Sequence, residues 1–191
     1  FFRNVKFTGH NRLGCFGNEI TLAGGITTHT GIYDAWIHNC TMGINVLIHT
    51  IRDYVANYTI GDNASIFEVQ LLAVDGESSF GNGINVEAIS EAGNRSVMIY
   101  DKLSAQMAYI LALYRHRPRL IENIERMIST YSDQVKSSQG TISCGAQIYR
   151  CDTILNAKIG ENALIEGARL IKNGTVNSES ADPVYIGDGC H

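Results

Sequence analysis

Proline is scarce in this chain, 2 in 191 residues, and an excess of positive charge is absent, the net charge being −4. The acidic balance argues against a general nucleic-acid surface. No run of 18 apolar residues occurs, so no transmembrane helix and no membrane partner are expected. No signal peptide is visible, although the first residue is Phe1 and not Met. The five cysteines, Cys15, Cys40, Cys144, Cys151 and Cys190, are odd in number and form no Cys-x-x-Cys pair. A zinc site or a secreted disulfide framework is therefore poorly supported, and Cys40 reads as a core thiol. Neither a Walker nor a dinucleotide-type glycine loop is present, Gly24-Gly25 reading as a corner, and no nucleophile motif surrounds a serine. What is there is a 45% hydrophobic chain with 19 glycines, enough to build a core of strands and corners, soluble and cytoplasmic.

The pattern that organises it is a return of isoleucine every six residues. Ile159, Ile165 and Ile171 show it, as do Met42, Ile48, Tyr54, Ile60, Ile66 and Leu72, and Ile142, Ile148 and Ile154. Ile20, Ile26 and Ile32 carry the same spacing earlier. A helix repeats every 3.6 residues, so this period reads as a short strand plus a corner. A small residue stands two positions before many of the aliphatics, as Ala64 before Ile66 and Ala163 before Ile165, and residues two apart in a strand share a face. One hexad cannot bury its apolar side alone, whereas stacked hexads cover one another. Asn39-Cys40-Thr41, Asn57-Tyr58-Thr59 and Asn173-Gly174-Thr175 match glycosylation acceptors but read as corner chemistry.

Ile159-Gly160-Glu161-Asn162-Ala163, Ile60-Gly61-Asp62-Asn63-Ala64 and Ile186-Gly187-Asp188-Gly189 resemble the hexapeptide-repeat superfamily. The whole looks closest to a family of long bacterial hexapeptide-repeat proteins of unassigned function. The resemblance implies a mainly β chain, a left-handed parallel β-helix with an αα-hairpin insertion. The hand comes from the resemblance, since general topology favours a right-handed crossover. β-helix coils are expected over residues 1–86 and 140–191, with the helical hairpin over 87–139. The chain ends abruptly at His191 without a cap, which reads as a piece of a longer protein.

Within 87–139 the hexad vanishes. Leu103, Met107, Ile110, Leu111 and Tyr114 fall at helical spacing, with Asp101 as the expected N-cap and Ala105, Ala108 and Ala112 as a narrow flank. Pro118 suits the first turn of a second helix striped by Ile121, Ile124, Ile128, Tyr131 and Val135. Arg115, Arg117 and Arg119, with His116, form the basic cluster. They suit an anion of the substrate, or alternatively the C-terminal dipole of the first helix and the carboxylates of Glu122 and Glu125.

The resemblance also implies acyl or nucleotidyl transfer to a sugar nucleotide or another small hydroxyl- or amine-bearing acceptor. Acetyl-coenzyme A or a nucleotide sugar would then be a substrate, with no tightly bound cofactor and no metal. A histidine serves such transfer as general base because imidazole titrates near neutrality. His29 and His49 are the candidate catalytic bases. His10 and His38, with the three arginines, are candidate substrate-binding residues. On the hexad register His10 and His29 stack at corners of neighbouring coils, and His38 and His49 point outward on strands. Asp34 and Asp53 are candidate orienting carboxylates. The alternative function is a non-catalytic β-helix scaffold or oligomerisation domain of a larger protein. A homo-oligomer is expected on either reading.

Overall fold

A computed structural model describes residues 1–21, 25–88 and 95–188, so Gly24, Gly189, Cys190 and His191 lie outside the described residues. The chain divides into two compact units, Phe1–Glu77 with Ser138–His191, and Ser78–Ser137. The first unit begins with β1 (Phe2–Thr8), β2 (Glu19–Thr21), β3 (Thr27–His29), β4 (Gly31–His38), β5 (Thr41–Met42), β6 (Leu47–Ala56), β7 (Tyr58–Ile60) and β8 (Ser65–Ala73). The second unit carries β9 (Ile84–Glu87), β10 (Ser96–Ile99), α1 (Ala105–Leu113) and α2 (Pro118–Val135). The first unit resumes with β11 (Gly140–Ile142), β12 (Gln147–Tyr149), β13 (Thr153–Ile159), β14 (Leu164–Glu166), β15 (Leu170–Val176) and β16 (Tyr185–Ile186).

Twelve of these strands join one curled sheet, a half-barrel whose main path runs β1-β4-β6-β8-β13-β11-β7-β5, and all its pairings are parallel. The expected left-handed parallel β-helix is therefore corrected to a mainly β chain with a single curled parallel sheet. The reason lies in the strands themselves. Several continue through their bends, so each offers edges to more than one neighbour. β8 pairs with β6, β12 and β13, and β13 in turn with β8, β11 and β15. The ladders thereby merge into one sheet. Asp34, Thr50, Glu68 and Asn156 take positive φ inside the strands and bend them, at φ of 52°, 57°, 54° and 54°.

Register places like side chains over like. Ile32, Ile48, Ile66, Ile148, Ile165 and Ile186 are successive partners across five ladders. All but Ile186 are fully buried. Phe7, Ile37, Val55, Leu72, Ile154 and Ile171 form a second column in the same way. Ala64, Ala146, Ala157 and Ala163, each two residues before a buried isoleucine, are all at 0% exposure. Tyr58 is the exception among these small positions. Its ring lies over Gly140, where an added Cβ would stand 2.4 Å from the ring, and its hydroxyl donates to the Ala157 carbonyl at 2.8 Å. A large residue in one strand thus requires none in the next. Asn39, Asn57 and Asn173 of the three Asn-x-Thr segments adopt positive φ, a conformation asparagine tolerates better than most residues.

The hexad reading fails between residues 17 and 30. Ile20 pairs with Thr28 in the antiparallel β2–β3 hairpin, and Ile26 is 63% exposed. His10 and His29 consequently do not occupy equivalent corners of stacked coils.

In the second unit, Val97, Leu111, Ala112, Ile121 and Ile128 form the core, with Leu103, Met107, Ala108 and Ile124 packed against it. The expected cap Asp101 is replaced by Ser104, whose side chain accepts from the Met107 amide. Pro118 opens α2. Ala112 is buried and Ala108 packs against the core, whereas Ala105 of the same flank is exposed. Among the described residues no helix is long and apolar enough to cross a membrane.

Two substitutions test the packing. A Cβ on Gly61 would stand 2.6 Å from the Cys144 amide nitrogen, so Gly61→Ala should cost roughly 1–3 kcal/mol in urea unfolding. Thr30 precedes Gly31 as Val46 precedes Leu47, and its Oγ1 is buried without a hydrogen-bond partner. Thr30→Val removes that cost at nearly constant shape and should stabilise the protein by about 1 kcal/mol. An unchanged or lower urea midpoint for Thr30→Val would contradict the buried, unpaired hydroxyl.

Candidate functional site

The residue after each inward isoleucine points out of the sheet, and register stacks these residues too. Arg3, Tyr33, His49, Phe67, Tyr149 and Glu166 are successive partners on one outward column. The His49 imidazole lies between two rings, with centroids 5.4 Å from Tyr33 and 5.1 Å from Phe67. The Arg3 guanidinium sits over the Tyr33 ring at 5.6 Å and binds Asp34 at 3.0 Å.

His49 is the best placed of the candidate bases. Its Nδ1 is 2.7 Å from Thr50 Oγ1. Thr50 is β-branched and holds φ of 57°, a strained combination. Asp34 and Glu68 occupy the equivalent bends of the strands on either side. Burial pulls the His49 pKa below its ordinary value of 6.5, and Arg3 lowers it further, against the opposing fields of Asp34 and Glu68. Hydrogen bonds from Asn4 and then Arg3 hold the Asp34 carboxyl below the usual carboxylate range. The field of Asp34 reaches His49, but both its oxygens are engaged, by Asn4 and Arg3. Asp53 instead accepts from Gln70 at 3.4 Å.

The other three candidate histidines, His10, His29 and His38, are spread over the sheet unit. His29 is exposed on the β2–β3 hairpin, 3.3 Å from Glu19 and stacked on Phe1 at 4.9 Å. His10 is exposed, and its backbone amide donates to Asn39 Oδ1 at 2.9 Å. That bond orients the Asn39 amide so that its Nδ2 donates to His38 Nε2, also at 2.9 Å. His38 Nδ1 then carries the proton and donates to Thr8 Oγ1, which also accepts from Trp36 Nε1. Both nitrogens of His38 are engaged, so it holds structure rather than substrate. Arg115, Arg117 and Arg119 belong to the helical unit and are exposed. Arg115 donates to the Ser96 carbonyl, and Arg117 occupies the N-cap position of α2 without a capping side-chain bond. Among the described residues no three His, Cys, Asp or Glu side chains are placed to hold a metal ion.

Sequence reasoning missed Tyr33, Phe67, Thr50 and Arg3 as neighbours of His49. The available signal was an aromatic ring directly after an inward isoleucine, in Ile32-Tyr33, Ile48-His49, Ile66-Phe67 and Ile148-Tyr149.

A mainly parallel half-barrel with an outward aromatic column defines the architecture, and comparison supplies the family. The chain belongs to the family described as Domain of unknown function (DUF4954), whose model matches residues 1–191. It is similar to an uncharacterized protein of Treponema pallidum (strain Nichols), 27% identical over 198 residues, covering 98% of this chain and 27% of that protein. The chain therefore spans about a quarter of the length of the relative it matches. No solved structure matches. Membership of the hexapeptide-repeat superfamily is corrected accordingly.

A pH measurement tests the His49 environment. Because the folded pKa is lowered, the unfolded chain takes the proton first as pH falls. The stability linked to this group is fully present above about 6.5 and is lost as pH falls from there through the folded value. Urea midpoints measured between neutral and mildly acidic pH should fall less steeply for His49→Phe than for the wild type. Parallel curves would show that the imidazole carries no such linkage.

Proposed function

We propose that this chain is a non-catalytic parallel-sheet scaffold within a larger cytoplasmic protein, its sheet open to a further strand at β1. One observation carries the reading. The core columns are closed at β4 and nearby, where Ile32, Ile37 and Met42 are 0%, 0% and 3% exposed. One strand outward the corresponding Phe2 and Phe7, with Leu13, are 53%, 40% and 39% exposed. Apolar side chains are open at this edge, and an uncovered sheet edge is a template for another strand.

The chemistry of β1 favours a parallel partner. Two copies of β1 paired antiparallel with Phe2 opposite Phe7 would set Arg3 opposite Lys6, and like charges facing each other are destabilising. A parallel strand with aliphatic side chains at matching spacing extends the columns without that conflict. The length of the Treponema relative, nearly four times the matched region, accords with further strands elsewhere in the family's proteins. Cys15, Cys40, Cys144 and Cys151 are free thiols, which suits a reducing compartment.

Light scattering and calorimetry test this together. Wild-type chain at high concentration should exceed the mass of a 20.9 kDa monomer through head-to-tail association, and Phe2→Glu with Phe7→Glu should return it to that mass. Acetyl-coenzyme A and a panel of nucleotide sugars should give no heat of binding. A monomer at every concentration that binds and turns over one of these donors would replace the scaffold with an enzyme.

A further inference from the structure

Helix α1 reads Ala105-Gln106-Met107-Ala108-Tyr109-Ile110-Leu111-Ala112-Leu113 and contains no charged side chain. A helix apolar on all sides is normally covered on all sides. Here Leu111 and Ala112 are buried and Met107 and Ala108 pack on the same core, while the opposite side is bare. Tyr109 is 55% exposed and Leu113 39%, and Tyr114, in ring contact with Tyr109 just beyond the helix, is 38% exposed.

The charge around this patch has one sign. From Leu103 to Ile121 there is no Asp or Glu, whereas Arg115, Arg117 and Arg119 fall within 5 residues of one another. Arg117 and Arg119 are exposed and make no ion pair among the described residues. Tyr109 and Tyr114 meet edge to face at 6.0 Å, and Tyr114 lies 5.6 Å from His116, so the ring pair runs to the residue that Arg115 and Arg117 flank in the chain.

We propose that this face docks the protein on an anionic lipid surface. The exposed side of a single helix is convex. A partner helix seats in a groove between two elements, whereas a convex apolar ridge suits a plane into which it can sink. Tyrosines favour the headgroup level, with the apolar ring inward and the hydroxyl wet. Arginines beside them reach lipid phosphates through charge-assisted hydrogen bonds. A second copy is disfavoured, because antiparallel packing along α1 about Tyr109 would set Arg115 and His116 beside Lys102. The docking is peripheral, so the lack of a crossing helix among the described residues does not oppose it. It stands independently of the scaffold reading, which concerns the other unit.

The test is co-sedimentation of the chain with vesicles of phosphatidylcholine alone and of phosphatidylcholine mixed with phosphatidylserine. Partitioning should be confined to the mixed vesicles and weaken as salt is raised. Arg117→Gln with Arg119→Gln should lower it roughly 25-fold, about fivefold for each charge removed. Tyr109→Ser with Leu113→Ser should lower it at least about tenfold through lost apolar burial, with an unchanged circular-dichroism spectrum. Equal partitioning to both vesicle types, or none to either, overturns the proposal. So does capture of an acidic polypeptide as tightly as the vesicles, or a dimer that Tyr109→Ser dissolves, since each assigns the face to another occupant.

Discussion

The sheet depends on one constraint, the vertical registry of inward side chains from strand to strand. Each buried isoleucine of the columns is covered by apolar side chains of the neighbouring strands, so no strand owns its share of the core. Removing apolar surface from water contributes about 25 cal/mol per Å², and here almost all of that burial is between strands. The outward face inherits the same registry. It places Tyr33, His49 and Phe67 in a stack that neighbouring sequence alone would never bring together. Core and candidate site are thus two faces of one ladder, and a slip of one residue would exchange them.

Much of the strand content was legible because the six-residue period leaves a direct trace wherever an inward aliphatic must meet another. Ile48, Ile66, Ile148 and Ile165 are read from spacing and found at the centre. The global form was not legible. Spacing says how often a chain bends, but not which edges then pair, and β8 and β13 each meeting three neighbours is a property of strand length. The hairpin over residues 19–29 shows the same limit from the other side. Ile20 keeps the period but pairs with Thr28 on the antiparallel β2–β3 pair, and Ile26, which also keeps it, stands exposed just before β3.

The candidate site was legible in its members and not in its grouping. His49 stood out as an outward histidine, and the rings that enclose it lie 16 and 18 residues away. His38 looked equivalent to it in the sequence. Only the orientation of the Asn39 amide shows that both of its nitrogens are committed. The arginines of the helical unit were legible as a cluster, and what the sequence left unsaid was the bare apolar side of the helix before them. That side follows from tertiary packing, since a helix apolar all round does not reveal which half a core will take.

The two ends of the helical unit meet. Ser78 and Ser137 exchange backbone hydrogen bonds at 3.0 Å in both directions, so 58 residues leave and return through one gate. Closing a loop costs little more as the loop lengthens, about 0.6 kcal/mol for each doubling. The strands before and after the gate therefore feel almost nothing of what lies between them. In evolutionary terms the helical unit is a cassette. A change in its length would cost the sheet little, since Gly140 would still find its place beneath the ring of Tyr58.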